Sequence, residues 1–268
     1  MNLIKRTLTA AVLLGSLFVI IQYAPNWVFF LIGAAFALAA LLEFYNLTGK
    51  KGLGPNKVLG LGLAVLVLLT FYVRTIPLDA ALFAAVLVCS VYYVAAINTA
   101  EKLALFPASF VTTLAGIFYV AFPLGFIFRI RLEEGPFFLY LLAAIVFVGD
   151  TGAFFIGKPF GRHKMTPIAS PNKSWEGSAG GFLFAVAGAV LARLILMPSV
   201  PLVTVILTAL VVHAAAQVSD PLESLFKRAV GVKDSSNSLP GHGGFLDRID
   251  SLILAGPMLY FIVKLFWK

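Results

Sequence analysis

The chain is organised as long apolar runs separated by short segments rich in proline, glycine and charge. Runs of about 18 residues or more recur along its whole length, and each is long enough to cross a hydrocarbon core about 30 Å thick as a helix. We therefore predict nine transmembrane helices, at about 7–24, 27–48, 58–74, 78–97, 107–129, 137–156, 178–197, 201–220 and 251–267. The first run is too long for a signal peptide and lacks a small-residue cleavage site, so we interpret it as a retained span.

Composition supports a membrane protein. Hydrophobic residues make up 60% of the 268 residues and charged residues only 12%, whereas a soluble domain has about 25% charged residues. Disordered, coiled-coil, nucleic-acid-binding and disulfide-stapled secreted classes are excluded on the same grounds. The predicted fold is an all-α, polytopic transmembrane helical bundle of about nine spans.

The distribution of basic residues predicts the orientation. All but six of the 20 Lys and Arg residues lie on the side that holds the N-terminus and the loops after even-numbered spans. Because basic residues concentrate on the cytosolic side, that side is expected to face the cytosol. We expect a multi-pass protein of a plasma or inner membrane with its N-terminus cytosolic. The six exceptions are Arg74, Arg129, Arg131, Arg193, Lys264 and Lys268.

No linker divides the chain into separate domains, but its two halves differ in the polar loops that they contain. Residues 1–136 form an N-terminal region of about five spans. Residues 137–268 form a C-terminal region of about four spans, with cytosolic loops 157–177 and 221–250. We expect a polar cavity facing the cytosol in this C-terminal half.

Four carboxylates are predicted near one membrane boundary. Asp150 ends the sixth span, Asp220 ends the eighth, and Asp247 and Asp250 open the ninth. A charge at membrane depth costs about 2.5–3.5 kcal/mol on insertion scales, so such residues are candidates for function. Converging carboxylates repel unless a cation lies between them, and hard divalent ions, Mg²⁺ above all, prefer oxygen ligands.

Basic residues and glycines share the two cytosolic loops. Glycine-rich backbone presents N–H groups to phosphate oxygens, and Lys and Arg add charge, so the combination predicts a metal and phosphate site. The alternative is ordinary positive flanking of the spans, which is about as probable for any single residue. The basic residues are Lys158, Arg162, Lys164, Lys173, Lys227, Arg228, Lys233 and Arg248, and the glycines are Gly157, Gly161, Gly241, Gly243 and Gly244.

Several residues near Asp220 also have structural interpretations. Pro221 predicts a break of the eighth span at Asp220, where a short amphipathic helix would begin with Asp220 as its N-cap. Asp220 is thus either a cap or a metal ligand. His213 is expected to be a packed or hydrogen-bonded histidine, and Gly177 and Gly181 have the spacing of close helix packing.

Two stretches resemble the phosphatidate cytidylyltransferase (CDP-diacylglycerol synthase) family. The C-terminal motif of that family is similar to Ser224-Leu-Phe-Lys227-Arg228, four residues, Lys233-Asp234, then Leu239-Pro-Gly-His242-Gly-Gly-Phe-Leu-Asp247-Arg248-Ile-Asp250. The upstream stretch is similar to Gly149-Asp150-Thr-Gly-Ala-Phe-Phe, Gly157-Lys-Pro-Phe-Gly-Arg-His and Ser170-Pro-Asn-Lys173-Ser-Trp-Glu176-Gly177. One departure is Ser219-Asp220-Pro221, where the family usually has Gly-Asp-Leu. The resemblance covers roughly residues 145–250.

The resemblance implies an activity and a set of roles. CTP and phosphatidic acid would give CDP-diacylglycerol and pyrophosphate with Mg²⁺ as cofactor, in a homodimer whose cavity also opens laterally to lipid. Asp220 and Asp247 would be the main metal ligands and Asp150 a weaker third. The expected phosphate-binding residues are Lys173, Lys227, Arg228, Lys233 and Arg248, and hydrogen bonds are expected from Ser170, Asn172 and His242.

Two other functions remain open at this stage. A CTP-dependent kinase of a polyprenol-type lipid alcohol would also need Mg²⁺, basic loops and lateral access, but it would transfer the γ-phosphate. An ion-coupled transporter would use carboxylates at membrane depth. Acids confined to one leaflet argue against the transporter, because a transport path needs polar groups near the midplane.

Overall fold

The computed structural model describes residues 15–16, 18–238 and 243–267. About 80% of the residues are helical, which confirms the predicted all-α fold class. The helices are α1 (Asn26–Lys50), α2 (Lys57–Tyr72), α3 (Leu78–Ala96), α4 (Ala100–Gly116), α5 (Phe122–Arg129), α6 (Pro136–Ala143), α7 (Gly149–Phe160), α8 (Trp175–Leu196), α9 (Leu202–Ala229) and α10 (Leu246–Phe266). Strands β1 (Lys164–Thr166) and β2 (Ser170–Ser174) form one antiparallel pair.

Seven continuous helical segments in the described residues are long and apolar enough to cross a membrane. They are α1, α3, the 35-residue segment Ala100–Glu134, the segment Pro136–Phe160, α8, α9 and α10. The shorter apolar helix α2 corresponds to the predicted span 58–74. Half of the predicted span at 7–24 lies outside the described residues. The protein is therefore an integral membrane protein by length and composition of its helices.

The segments Ala100–Glu134 and Pro136–Phe160 stay continuous through π-helical turns at Ile117–Ala121, Ile130–Glu134 and Ala144–Val148. The first of these turns directly precedes Pro123. Proline lacks an N–H and its ring clashes with the carbonyl four residues earlier. A wider turn at this position lets the helix pass Pro123 without ending.

The predicted break at Asp220 is wrong. Helix α9 continues through Pro221 to Ala229, so Asp220 lies inside a helix and cannot be an N-cap. Restriction of the residue before proline is a preference, and the packing of a 28-residue helix outweighs it here. The described non-helical residues between α9 and α10, 230–238 and 243–245, consequently span less of the chain than the predicted loop 221–250.

Close packing of α7, α8 and α9 builds the C-terminal half. A Cβ on Gly177 would lie 2.9 Å from the carbonyl oxygen of Ala153, and a Cβ on Gly181 would lie 2.7 Å from Nε2 of His213. Only glycine permits these distances. The predicted packing role of this glycine pair is confirmed.

The predicted loop 157–177 contains an ordered hairpin formed by β1 and β2, which was not expected from the sequence. Ser174 accepts a hydrogen bond from the Gly177 N–H (3.1 Å) and caps α8. Glu176 accepts hydrogen bonds from the backbone N–H groups of Arg162 and His163, and its carboxylate contacts His163 Nδ1 at 2.6 Å. These contacts fix the hairpin against the start of α8.

Candidate active site

A polar cavity of about 250 Å³ lies between α7, α8, α9 and the hairpin. Its lining includes four residues that the sequence predicted for the site. These four residues are Asp150, Asn172, Lys173 and Asp220. The Nζ of Lys173 lies 2.7 Å from Oδ2 of Asp220, and both side chains are about a quarter exposed. The cavity therefore combines two carboxylates with one ammonium group that solvent can still reach.

The start of helix α10 contacts α7 at Asp150 and α9 at Ser219. The Ser251 hydroxyl lies 3.4 Å from Oδ2 of Asp150. Ser219 donates a hydrogen bond to the carbonyl oxygen of Asp250. The carboxylate of Asp250 accepts from the Ser251 N–H at 2.7 Å. The start of α10 is thus tied to both carboxylate-bearing helices, α7 and α9.

A glutamine network forms part of the cavity wall. Gln217 Nε2 lies 2.9 Å from Nε2 of His213 and donates to the Ser178 carbonyl oxygen at 3.1 Å, while the Ser178 hydroxyl donates to Gln217 Oε1. His213 is fully buried, as expected for a packed, hydrogen-bonded histidine. Because both amide hydrogens are used, the orientation of the Gln217 amide is fixed.

A second polar cluster, the Lys227 triad, lies deeper and consists of Glu223, Lys227 and Asp247. The Nζ of Lys227 lies 2.6 Å from Oε2 of Glu223 and 2.6 Å from Oδ1 of Asp247. The Glu223 side chain is 0% exposed, that of Asp247 7% and that of Lys227 9%. Lys227 is therefore neutralised by two carboxylates, unlike Lys173.

The other oxygen of Asp247 organises the second loop. Oδ2 accepts hydrogen bonds from the backbone N–H of Ser235 (2.9 Å), the hydroxyl of Ser235 (2.8 Å) and the N–H of Gly244 (2.8 Å). Both oxygens of Asp247 are thus engaged by protein groups. Asp247 is not among the residues that line the cavity with Asp150 and Asp220.

The remaining predicted residues are spread around the loops. Arg228 donates from Nε to the Ala169 carbonyl (3.3 Å) and from Nη1 to the Val232 carbonyl (2.8 Å), so it ties the hairpin to the end of α9. Lys233 and Arg248 are exposed, and Ser170 is half-buried in β2. His242 lies outside the described residues.

The sequence analysis missed Glu43 of α1. This carboxylate is buried and accepts four hydrogen bonds from the second loop and the start of α10. A signal was present, because Glu43 is the one acidic residue of the predicted span 27–48, and an ionisable residue in a span is a functional candidate. The N-terminal half therefore contributes to the site.

The donor set of the cavity is compatible with a hard cation, although the predicted three-aspartate set is not assembled. In the described part of the chain, no three His, Cys, Asp or Glu side chains meet closely enough to hold a metal. Mg²⁺ usually takes only one or two carboxylates and completes its shell with water and substrate phosphates. Asp150 and Asp220, with the Asn172 amide in the same cavity, satisfy that requirement.

Comparison with known proteins identifies the family. Residues 4–266 match the cytidylyltransferase family, so the chain belongs to it. The chain is 33% identical over 258 residues to a phosphatidate cytidylyltransferase of Staphylococcus epidermidis (strain ATCC 35984), with 95% of this chain and 96% of that protein covered. The corresponding protein of Staphylococcus aureus (strain COL) is 35% identical over 259 residues, with the same coverage. That of Bacillus subtilis (strain 168) is 39% identical over 156 residues, 58% of each chain.

Proposed function

We propose that this protein transfers a cytidylyl group from CTP to phosphatidic acid, giving CDP-diacylglycerol and pyrophosphate for phospholipid biosynthesis. The observation that carries the proposal is the cavity in which Asp150, Asp220 and Lys173 meet at the end of the bundle, in a chain of the cytidylyltransferase family.

The transfer joins two anions. A phosphate oxygen of phosphatidate forms a bond to the α-phosphorus of CTP, and the bond from that phosphorus to the bridging oxygen of pyrophosphate breaks. Because phosphatidate is already ionised at neutral pH, the step needs charge neutralisation and alignment more than a general base. Lys173 supplies a mobile positive charge in the cavity, since it is partly exposed and held by one carboxylate only.

Mg²⁺ is proposed as the cofactor, held by Asp150 and Asp220 together with substrate phosphates. When bound, it would neutralise charge that develops on the transferring and leaving phosphates. The assignment of Asp247 as a further metal ligand stays a prediction from the resemblance. In the structure Asp247 instead orders Ser235, Gly244 and Lys227.

The proposal also includes a route by which the lipid substrate enters the cavity, the orientation of the cavity and a homodimer. The lipid acceptor must enter from the bilayer, and Phe154, which lines the cavity, is 61% exposed on the surface of α7. An apolar residue at this rim favours a lateral opening toward lipid. The cytosolic orientation of the cavity follows from the distribution of basic residues, and the homodimer stays a prediction from the resemblance.

Isotope transfer tests the bond that is made. Purified protein with phosphatidate, Mg²⁺ and CTP labelled in the α-phosphate should yield labelled lipid and an equal amount of unlabelled pyrophosphate. Asp150→Asn and Asp220→Asn should each lower turnover at least ten-fold, whereas Asp79→Asn, at an exposed acid in the first turn of α3, should not. Label entering a prenol from the γ-phosphate, with CDP released, would show the lipid kinase instead.

A further inference from the structure

Glu43 accepts hydrogen bonds from two adjacent serines and two adjacent backbone groups about 200 residues away. Its Oε1 accepts from the Ser236 hydroxyl (2.6 Å) and the Phe245 N–H (3.1 Å). Its Oε2 accepts from the Ser235 hydroxyl (2.8 Å) and the Leu246 N–H (2.9 Å). One buried carboxylate therefore joins Ser235 and Ser236 of the loop to the start of α10.

The contacts supply hydrogen-bond acceptors for the first backbone N–H groups of α10. The first N–H groups of a helix need acceptors, and Phe245 at the cap position has no acceptor in its side chain. Glu43 takes the N–H groups of Phe245 and Leu246, and Asp247 takes that of Gly244. A carboxylate is favourable there because the helix dipole is positive at this end.

Ser235 connects Glu43 to the Lys227 triad. Its hydroxyl lies 2.8 Å from Oε2 of Glu43 and 2.8 Å from Oδ2 of Asp247, and its single hydrogen can serve one of them at a time. Asp247 in turn contacts Lys227 at 2.6 Å. The chain of contacts thus runs from α1 to the polar residues of α9.

We infer that Glu43 is a positioning residue of the active site: it fixes residues 235–236 of the second loop and residues 245–246 at the start of α10 and, through Ser235, the side chain of Asp247. The inference rests on the proposed function for its catalytic consequence. Glu43 is not placed to touch substrate, because it is buried and each of its oxygens has two protein donors within hydrogen-bond distance. Its role is to keep the second loop in place beside the Lys227 triad.

The close approach of the loop supports this role. A Cβ on Gly244 would collide with both the Glu43 carboxylate and the Ser235 hydroxyl. The backbone of the loop therefore lies directly on Glu43. The amide of Glu43→Gln has one oxygen and one NH₂ group, so its NH₂ group would face the backbone N–H of either Phe245 or Leu246. That N–H group would lose its acceptor.

The test compares Glu43→Gln with Glu101→Gln, which removes the same charge from an exposed position at the start of α4. Turnover is measured per folded molecule, with KM for CTP. Trypsin cleavage after the exposed Lys233 reports on the loop, and cleavage after the exposed Arg162 in the hairpin is the internal reference. Glu43→Asp is the third variant, because it keeps the charge but is one methylene too short to reach all four donors.

We expect Glu43→Gln and Glu43→Asp to lower kcat at least ten-fold with KM for CTP changed less than three-fold. Cleavage after Lys233 should become at least five-fold faster, with cleavage after Arg162 unchanged. A purely structural role would lower the melting temperature and leave kcat per folded molecule unchanged. If Glu43→Gln does not fold, the double variant Ser235→Ala, Ser236→Ala should show the same two changes.

Two results would overturn the inference. One is a kcat and a Lys233 cleavage rate for Glu43→Gln equal to those of Glu101→Gln. The other is full recovery by Glu43→Asp, which would show that charge alone matters. If the wild type makes no CDP-diacylglycerol, the proposed function fails, and the cleavage comparison still decides whether Glu43 holds the loop.

Discussion

Lys227 and Lys173 have the same predicted role in phosphate binding, but the structure predicts opposite consequences of replacing them with methionine. Lys227 lies between two buried carboxylates, each 2.6 Å from its Nζ. Lys173 contacts one carboxylate, that of Asp220, at a partly exposed position. Methionine is unbranched and about one atom shorter than lysine, and it removes the charge together with the N–H donors.

The expected size of each effect follows from burial. Lys227→Met leaves Glu223 and Asp247 buried without their cation, and breaking a buried pair in this way costs about 3–5 kcal/mol. At roughly 2–4 °C per kcal/mol, the melting temperature should fall by roughly 6–20 °C. Lys173→Met breaks a more exposed pair worth about 0.2–1 kcal/mol, so its melting temperature should fall by less than about 4 °C.

Activity should follow a different order. Lys173→Met should lose at least ten-fold in turnover while it stays folded, since hydrogen bonds to charged groups are worth roughly 1.5–3 kcal/mol. The assay is thermal unfolding in detergent alongside CDP-diacylglycerol synthesis well below the melting temperature. The double variant Lys227→Met, Glu223→Gln should melt above Lys227→Met, because one unpaired charge has been removed.

The reasoning would be refuted by a Lys227→Met protein that melts with the wild type. It would also be refuted if the Glu223→Gln change destabilised Lys227→Met as much as it destabilises the wild type. Either result would mean that the three buried charges do not depend on one another. Normal turnover of Lys173→Met would remove Lys173 from the phosphate site and leave the stability argument intact.

Two further predictions concern orientation and the loop. In a Cys89→Ala background, an impermeant thiol reagent should label Ser199→Cys in intact cells but not Ser238→Cys, because the loop between α8 and α9 is predicted to face outward; the reverse pattern would invert the topology. Gly244→Ala should lower turnover at least ten-fold, since its methyl group would displace the Glu43 carboxylate; wild-type turnover per folded molecule would contradict the close packing of the loop.

The sequence determined the features that depend on local composition. A helix in lipid satisfies its own backbone hydrogen bonds, so each apolar run of sufficient length predicts a span without knowledge of its neighbours. The eight predicted spans within the described residues are helices. The spaced residues from Ser224 to Asp250 were sufficient to indicate the family that the comparison then showed.

The tertiary structure decided what each charged residue contacts. The resemblance implied one role for Lys173 and Lys227, yet only the packing of α9 against α10 brings Asp247 to Lys227, whose other partner, Glu223, lies one turn away on α9 itself. It also decided that α9 passes Pro221, because burial along a long helix outweighs a local backbone preference. Glu43 meets its partners across about 200 residues of chain, and no local pattern carries a contact of that range. Its charge was visible in the sequence, but its partners became known only when the helices were packed together.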